Sequence, residues 1–501
     1  MSTTVSTQAM NTSNVSTNME IIKQAKANDV KFVRLQFIDI FGIVKNLAIP
    51  VEQLDKALDN EVMLDGSSVK GFQRIERSDL YFYPDKSTFR ILPWRPAEGK
   101  VARLVCDIYE PDGSPFPGCP RNNLKRVLAQ VEKELGYTMN VGPECEFFLF
   151  NKDGSGNPTI DPSDVASYFD VEPLDIGQQV RREIIYALEE MGFEIEASHH
   201  EVAIGQHEID FKYELALNAS DNIATFRWVT KAVAAKHGMH ATFMPKPIFG
   251  QNGSGMHCNQ SLCKGGKNVF FDANTQDKLS KEMKWYIGGL LKNIRGICAI
   301  TNPLVNSYKR LVPGYEAPVY IAWSPGNRSA LCRVPDKRGS STRVELRSPD
   351  PASNPYLAVA CMLLAGIDGI KNKIEPPSPV NRNIYHLNPK EKAELKVDSL
   401  PGTLEEALRE MGKSQIAKQA LGDHIYDQFL YTMISLIPSK TDKLTITVKA
   451  IDYITELKEV LTKLGFLQKE VKELLVRTIW QKAKEKKTKT AKVVVPRTVP
   501  T

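Results

Sequence analysis

Glu144 and Glu146 stand two residues apart in Gly142-Pro143-Glu144-Cys145-Glu146-Phe147-Phe148-Leu149-Phe150. In an extended strand residues i and i+2 share a face, so the two carboxylates project together. Held beside an apolar aromatic run, two like charges need a cation between them. An isolated Glu-x-Glu is more often the solvated face of an edge strand, but the Phe-Phe-Leu-Phe run argues against an open face. Four further stretches carry matching chemistry. His199-His200-Glu201-Val202 and Gln206-His207-Glu208 flank Gly205, so Glu201 and Glu208 can approach one another across a hairpin. Asn252-Gly253-Ser254-Gly255 allows a ligand close to the backbone and leads into Met256-His257-Cys258-Asn259-Gln260-Ser261, where His257, Asn259 and Ser261 share a face. Arg343-Val344-Glu345-Leu346-Arg347 puts plus, minus and plus on one face, and Arg310, Arg328 and Arg333 lie near prolines and glycines.

Singly, each has a commoner reading: a satisfied core histidine, a surface charge ladder, solvated strand glutamates. Together, five Glu and one His on strands of one domain point to a divalent-metal site. Oxygen-rich ligation with a single imidazole suits Mg²⁺ or Mn²⁺ rather than Zn²⁺. Such ions accompany phosphates, and clustered arginines suit phosphate or carboxylate groups. The chain has no Gly-x4-Gly-Lys-Ser/Thr and no Gly-x-Gly-x-x-Gly after a strand, which excludes a P-loop and argues against a dinucleotide fold. The residues alone describe a metal-dependent enzyme that handles an ATP-like phosphate and an acidic substrate.

Positioning these groups takes a sizeable scaffold, and 501 residues predict two or more domains. Residues 1–18 are low-complexity Ser, Thr, Asn and Val, read as a disordered tail. A helix is expected over 19–28, strands over 31–39 and 43–49 around a Phe41-Gly42 turn, a helix over 51–59, and a strand over 103–109. This small α+β domain covers 19–110. Residues 111–120, with four Pro and two Gly, read as a linker. Within 121–430 the pattern gives helices over 121–135, 178–191, 219–237 and 354–371. Strands are expected over 144–150, 195–203, 208–213, 240–245, 256–262 and 342–346, and 151–170 reads as a loop. That alternation describes one large α/β body. Residues 431–501 differ: 453–479 has helical apolar spacing, and after Val476 eight Lys/Arg meet one acidic residue, Glu485.

The net charge of +6 gathers largely at that end, so the near-neutral body gives no basis for nucleic-acid binding. No apolar run approaches the roughly 20 residues of a membrane span, and the first residues lack a signal-peptide layout. The eight cysteines are scattered, with no Cys-x-x-Cys, and read as reduced thiols of a cytoplasmic protein.

Several blocks, in order and over roughly 20–430, resemble the type I glutamine synthetases, and are most similar to the branch lacking the central insertion. They are Asp65-Gly66-Ser67-Ser68, Gly142-Pro143-Glu144-Cys145-Glu146, His199-His200-Glu201-Val202, Asn252 to Asn259, Arg310-Leu311-Val312-Pro313-Gly314-Tyr315-Glu316, Asn327-Arg328-Ser329 and Arg343 to Pro351. The resemblance implies an α+β protein: a small N-terminal β-grasp domain, then a large α/β catalytic domain with a curved antiparallel sheet. It implies ATP-dependent ligation of ammonia to L-glutamate, through γ-glutamyl phosphate, with two Mg²⁺ or Mn²⁺ per site. It also implies active sites between neighbouring subunits of a hexameric ring, and two rings in a dodecamer.

Carried over by motif, one metal falls to Glu146, Glu201 and Glu208, and the other to Glu144, His257 and Glu345. Arg328 and Arg347 would stabilise the moving phosphoryl group. Both also touch glutamate, together with Asn252, Gly253, Arg310 and Glu316. Glu196, Tyr213, His257, Ser261, Arg328, Arg333 and Arg343 fall to ATP. Asp65 and Asp79 would bind ammonium from the adjacent subunit and take its proton, since only the neutral amine is a nucleophile. Glu316 would sit on a flap that keeps water from the intermediate. Arg74 matches an arginine linked to glutamine feedback, and a nitrogen-regulatory protein is a candidate partner. Tyr385 stands where another branch is adenylylated, but the surrounding sequence differs, which argues against that modification here. Beyond Phe429 the family's short Trp- and Glu-rich ring-locking helix gives way to the Lys-rich end. A ligase for a different amine and a non-catalytic structural or regulatory relative are the rival readings; Asp65 and Asp79 favour ammonia over the first, and the full ligand set weighs against the second.

Overall fold

The computed structural model describes residues 17–436 apart from 96, 97 and 396. The expected helix over 453–479 and nearly all of the expected N-terminal tail lie outside the described residues.

The first body holds α1 (Asn18–Ala27), β1 (Val30–Ile38), β2 (Val44–Pro50), α2 (Leu54–Leu58), β3 (Met63–Asp65), β4 (Asp79–Ile91) and β5 (Lys100–Tyr109). Thr17 and Glu20 close a capping box on α1, so the helix takes in the last residues of the stretch read as tail. The sheet runs β2-β1-β5-β4-β3, with β1 and β5 parallel and the other pairs antiparallel. The sequence pattern announces neither the short β3 nor β4, whose alternation is diluted by half-buried polar residues and Pro84.

The second body begins α3 (Pro120–Leu135), β6 (Thr138–Lys152), β7 (Pro158–Pro162), α4 (Gln178–Glu190), β8 (Ile195–His200), β9 (Gln206–Phe211) and β10 (Glu214–Leu215). It continues α5 (Ala216–Lys236), β11 (Met239–Thr242), β12 (Met256–Lys264), β13 (Lys267–Asn268), α6 (Lys281–Thr301) and α7 (Ser307–Arg310). Next come β14 (Tyr320–Ile321), β15 (Trp323–Pro325), β16 (Cys332–Val334), β17 (Val344–Leu346) and α8 (Pro355–Asn372). The described part closes with α9 (Pro389–Glu394), β18 (Asp398–Ser399), α10 (Leu404–Met411) and α11 (Gln415–Leu436), which kinks at Gly422. The domain boundary expected at 430 therefore falls inside a helix.

The sheet that carries the chemistry runs β15-β16-β17-β12-β6-β9-β8, antiparallel except for β15 with β16. Strands alternating with helices suggested an α/β body, but here the helices do not serve as parallel crossovers. β6 is its spine, and Phe147 to Phe150 are fully buried on both faces. Behind the sheet, α6 and α8 pack closely. A Cβ at Gly289 or Gly369 would overlap the facing helix backbone at Ala365 or Trp285. The sequence pattern misses α6 because its glycine pair, Gly288 and Gly289, interrupts the apolar spacing. Arg121 ties the two bodies together: its guanidinium reaches Asp221 twice (2.9 and 2.8 Å), Asp107 (3.0 Å) and Asp85 (2.7 Å), and Tyr356 Oη also donates to Asp221.

Candidate active site

Strand register assembles the site. β12 pairs with β6 so that His257 lies opposite Glu144. β9 pairs with β6 so that Glu208 lies opposite Glu146 and Asp210 opposite Glu144. β17 puts Glu345 opposite Asn259, and β16 puts Arg333 opposite Glu345. Period-2 alternation then turns all of these side chains to one face. All but Asn259 line a cavity of about 610 Å³.

Glu144, His257 and Glu345 offer ligand atoms within 4.8 Å of one another. His257 Nδ1 lies 3.2 Å from Glu144 and 3.8 Å from Glu345. Asn259 donates to Glu144 at 2.8 Å and accepts from Arg343 at 2.8 Å. Glu345 is fully buried and held from both sides, by Arg333 (2.8 Å) and Arg347 (2.6 Å). A second trio, His199, Glu201 and Glu208, meets the same distance criterion. Glu146 faces this trio from β6, and its carboxylate accepts from Gln206 Nε2 (2.7 Å) and Gly255 N (2.9 Å).

Electrostatics separate the two adjacent glutamates. Burial raises the Glu144 carboxyl, but His257 and Asn259 outweigh it and hold it at about 2. Burial pushes Glu146 up to about 8, with the charge of Glu201 adding to it. Burial and the Glu146 charge push Glu208 well up, and burial and Glu144 push Asp210 to about 7. Carboxylates crowded in a low dielectric behave this way until a cation compensates them. Oxygen donors with one or two imidazoles fit Mg²⁺ or Mn²⁺, so the donor set suits the metals that the sequence resemblance implies.

The cavity is also lined by Asn252, Gly253, Arg310, Glu316, Arg328, Arg333 and Arg347. Arg310 is buried and donates to the backbone carbonyls of Ser348, Pro349 and Arg347, so it shapes the loop after β17 as well as the cavity wall. Glu316 has φ +58 and faces Asn252 Nδ2 at 3.4 Å. Left-handed backbone at a bulky residue is sparsely populated and marks a constrained segment. Tyr385 lines the same cavity and its hydroxyl donates to the Ala317 carbonyl beside Glu316. Asp65, Asp79, Glu196, Tyr213, Ser261, Arg343 and Arg74 are not among the lining residues. Asp65 and Asp79 face one another in the β3–β4 register and are exposed. Ser67 and Ser68 donate to Asp65 and hold its carboxyl below the ordinary range.

Sequence reasoning missed His199, Gln206, Asp210 and Tyr168 as lining residues. Alternation outward from Glu201 and Glu208 carried the signal for the first three. Tyr168 comes from the loop after β7 and has no local signature.

Residues 117–434 match the family described as glutamine synthetase, catalytic domain, and 29–111 match glutamine synthetase, β-grasp domain. A glutamine synthetase of Clostridium saccharobutylicum is 61% identical over 414 residues, 83% of this chain and 93% of that protein. One from Methanosarcina mazei is 59% identical, covering 83% of this chain and 92% of that protein. Among solved structures, a GmaS/ADP complex aligns with TM-score 0.75 at 30% identity, over 83% of this chain and 95% of that one. The cryo-EM structure of Plasmodium falciparum glutamine synthetase aligns with TM-score 0.75 at 28% identity, over 84% of this chain and 96% of that one. With both domains matched and relatives near 60% identity across the body that carries the cavity, the chain belongs to the glutamine synthetase family.

Proposed function

We propose that this site joins ammonia to L-glutamate at the expense of ATP, through γ-glutamyl phosphate, giving L-glutamine, ADP and phosphate. The observation that carries the reading is the convergence of Glu144, Glu146, Glu201, Glu208, His257 and Glu345 on one cavity rimmed by arginines. Two Mg²⁺ or Mn²⁺ would be held there, one by Glu144, His257 and Glu345 and the other by Glu146, Glu201 and Glu208, with His199 beside the latter pair. When bound, such ions neutralise phosphate oxygens and carboxylate charge.

The rest is work for the chain's own groups. Arg328 and Arg347 would meet the charge that spreads over the transferred phosphoryl oxygens, with Arg333 on the ATP side, and catalysis of that step is chiefly electrostatic positioning. Asn252, Gly253 and Arg310 shape the end suited to the substrate carboxylate and amine. Glu316, on its constrained segment, covers the acyl phosphate against water. Tyr213, Ser261, Glu196 and Arg343 fall to the nucleotide. Asp65, kept anionic by its serine contacts, takes the ammonium proton, with Asp79 beside it. Their absence from their own chain's cavity lining supports delivery from a neighbouring copy, in a hexameric ring and a dodecamer. Arg74 is the candidate feedback residue, and a nitrogen-regulatory protein the candidate partner. Among the described residues no helix is long and apolar enough to cross a membrane; the reading places the enzyme in the cytoplasm.

The test is phosphate release by the full chain with Mg²⁺, ATP, glutamate and ammonium. It is expected only when all four are present; release that ignores ammonium refutes the reading. Larger amines competing with ammonium in the same assay separate this activity from ligation of another amine.

A further inference from the structure

The face of the β8–β9 hairpin turned away from the cavity holds a buried polar network that the proposed chemistry does not use. Alternation sends His199 and Glu201 forward and His200 back; on β9 it sends Gln206 and Glu208 forward and His207 back. His200 and His207 are cross-strand partners, fully buried, with rings 4.8 Å apart.

Both nitrogens of His200 face acceptors. Nδ1 lies 2.6 Å from the backbone carbonyl of Glu201, and Nε2 lies 2.9 Å from Asp164 Oδ1. The same Asp164 oxygen accepts the backbone N–H of Gly205 at 3.0 Å, and Ser163 Oγ donates to Oδ2 at 3.3 Å. Gly205, at φ +66, has no room for a side chain: a Cβ would come within 3.0 Å of the Leu149 carbonyl. One buried carboxylate thus grips the hairpin at both ends of its turn. His207 is fixed separately. Arg181, paired with Asp175 through two hydrogen bonds (3.0 and 2.6 Å), donates to His207 Nδ1 at 2.7 Å. A guanidinium has no acceptor, so His207 carries its proton on Nε2, which points at Asp164 Oδ2 from 3.9 Å.

Asp164, His200 and His207 have the mutual distances of a metal site. The hydrogen bonds read otherwise: Arg181 occupies the acceptor nitrogen of His207, so a cation beside Asp164 would meet the proton on His207 Nε2. We propose that Asp164 and His200 are positioning residues, which lock the hairpin so that Glu201 and Glu208 stand at one fixed separation for a divalent cation. This rests on the reading of Glu201 and Glu208 as ligands. Groups behind metal ligands commonly set affinity, and their loss weakens it by about 10–100-fold.

The nearly isosteric Asp164→Asn variant keeps the packing but turns an amide NH₂ toward the His207 N–H, or deprives Gly205 and His200 of their shared acceptor. Mn²⁺ binding to the full chain, followed by electron paramagnetic resonance without nucleotide, is expected to weaken about 10-fold at one of two sites and hold at the other. Size-exclusion chromatography and circular dichroism check folding; if Asp164→Asn does not fold, His200→Gln carries the same expectation. Wild-type affinity at both sites in a folded variant overturns the proposal, as does equal weakening at both. A third bound metal per wild-type chain that vanishes in the variant overturns it too, in favour of a metal site. Glu208→Gln run alongside separates the two levels: if it keeps both ions, the ligand reading itself has failed, whatever Asp164→Asn does.

Discussion

Two inactive variants should restore activity when they assemble together. Asp65→Ala removes an exposed carboxylate held rigid by Ser67 and Ser68; removing a general base typically costs about 10²–10⁴-fold. Glu345→Gln puts an amide NH₂ against one of the two arginines that hold the carboxylate, and removes charge from a fully buried ligand position. Each homogeneous variant should therefore retain under about 1% of activity. Asp65 is absent from its own chain's cavity lining, and Glu345 is part of that lining. If a site draws Asp65 from one copy and Glu345 from the next, random mixing leaves about one quarter of sites with both groups intact, as expected for a repeated head-to-tail interface. The assay is glutamine formation by mixed oligomers, co-expressed with two tags and purified through both. Activity near 25% of wild type per site is the expected result, roughly, from that same symmetry argument. Activity no greater than that of the parents, in confirmed mixed oligomers, refutes delivery of Asp65 from a neighbour.

Three further outcomes are expected. Glu144→Ala should impair ATP handling and Glu146→Ala glutamate handling, because His257 and Asn259 engage the first while Gln206 and Gly255 engage the second; identical steady-state defects with either substrate varied would undo the division. Arg121→Met takes the shared guanidinium from three carboxylates and should lower stability by about 3–5 kcal/mol in urea unfolding. Burial raises Asp85, but Arg121 and Ser87 hold it below its usual 3.8, so that part of the stabilisation is present above pH 4 and is lost as pH falls through the depressed value. The gap between variant and wild type should narrow in acid, and a gap that widens would count against the assignment. Glu316→Gly relieves left-handed backbone at φ +58, worth about 1 kcal/mol, yet removes the covering carboxylate. Phosphate released per glutamine formed should rise while thermal stability holds; a ratio that stays at one removes Glu316 from the flap role.

Local chemistry was legible wherever period 2 governs. A strand's own geometry joins Glu144 with Glu146, His257 with Asn259, and Arg343 with Glu345 and Arg347 on single faces, whatever the rest of the chain does. The same rule reached Glu201 and Glu208, because a left-handed glycine between two short strands makes a hairpin. It also contained His199 and Asp210, two steps from those glutamates. Helices with clear apolar spacing and a cap, such as α8 behind Asn354 and Pro355, were readable too; α6 was not, since its glycines report on a facing helix rather than on their own segment.

Sequence alone determined which side chains share a strand face and what ions they suit. Tertiary structure alone decided which strands are neighbours and in what register. Those choices put His257 against Glu144 and Glu208 against Glu146, sandwich Glu345 between two arginines, and anchor the hairpin to Asp164, some 40 residues away in the chain. Neighbouring Glu144 and Glu146 acquire opposite electrostatics from the tertiary structure: alternation gives them one face, but His257 and Asn259 keep the first charged, while burial and the charge of Glu201 leave the second to await a cation.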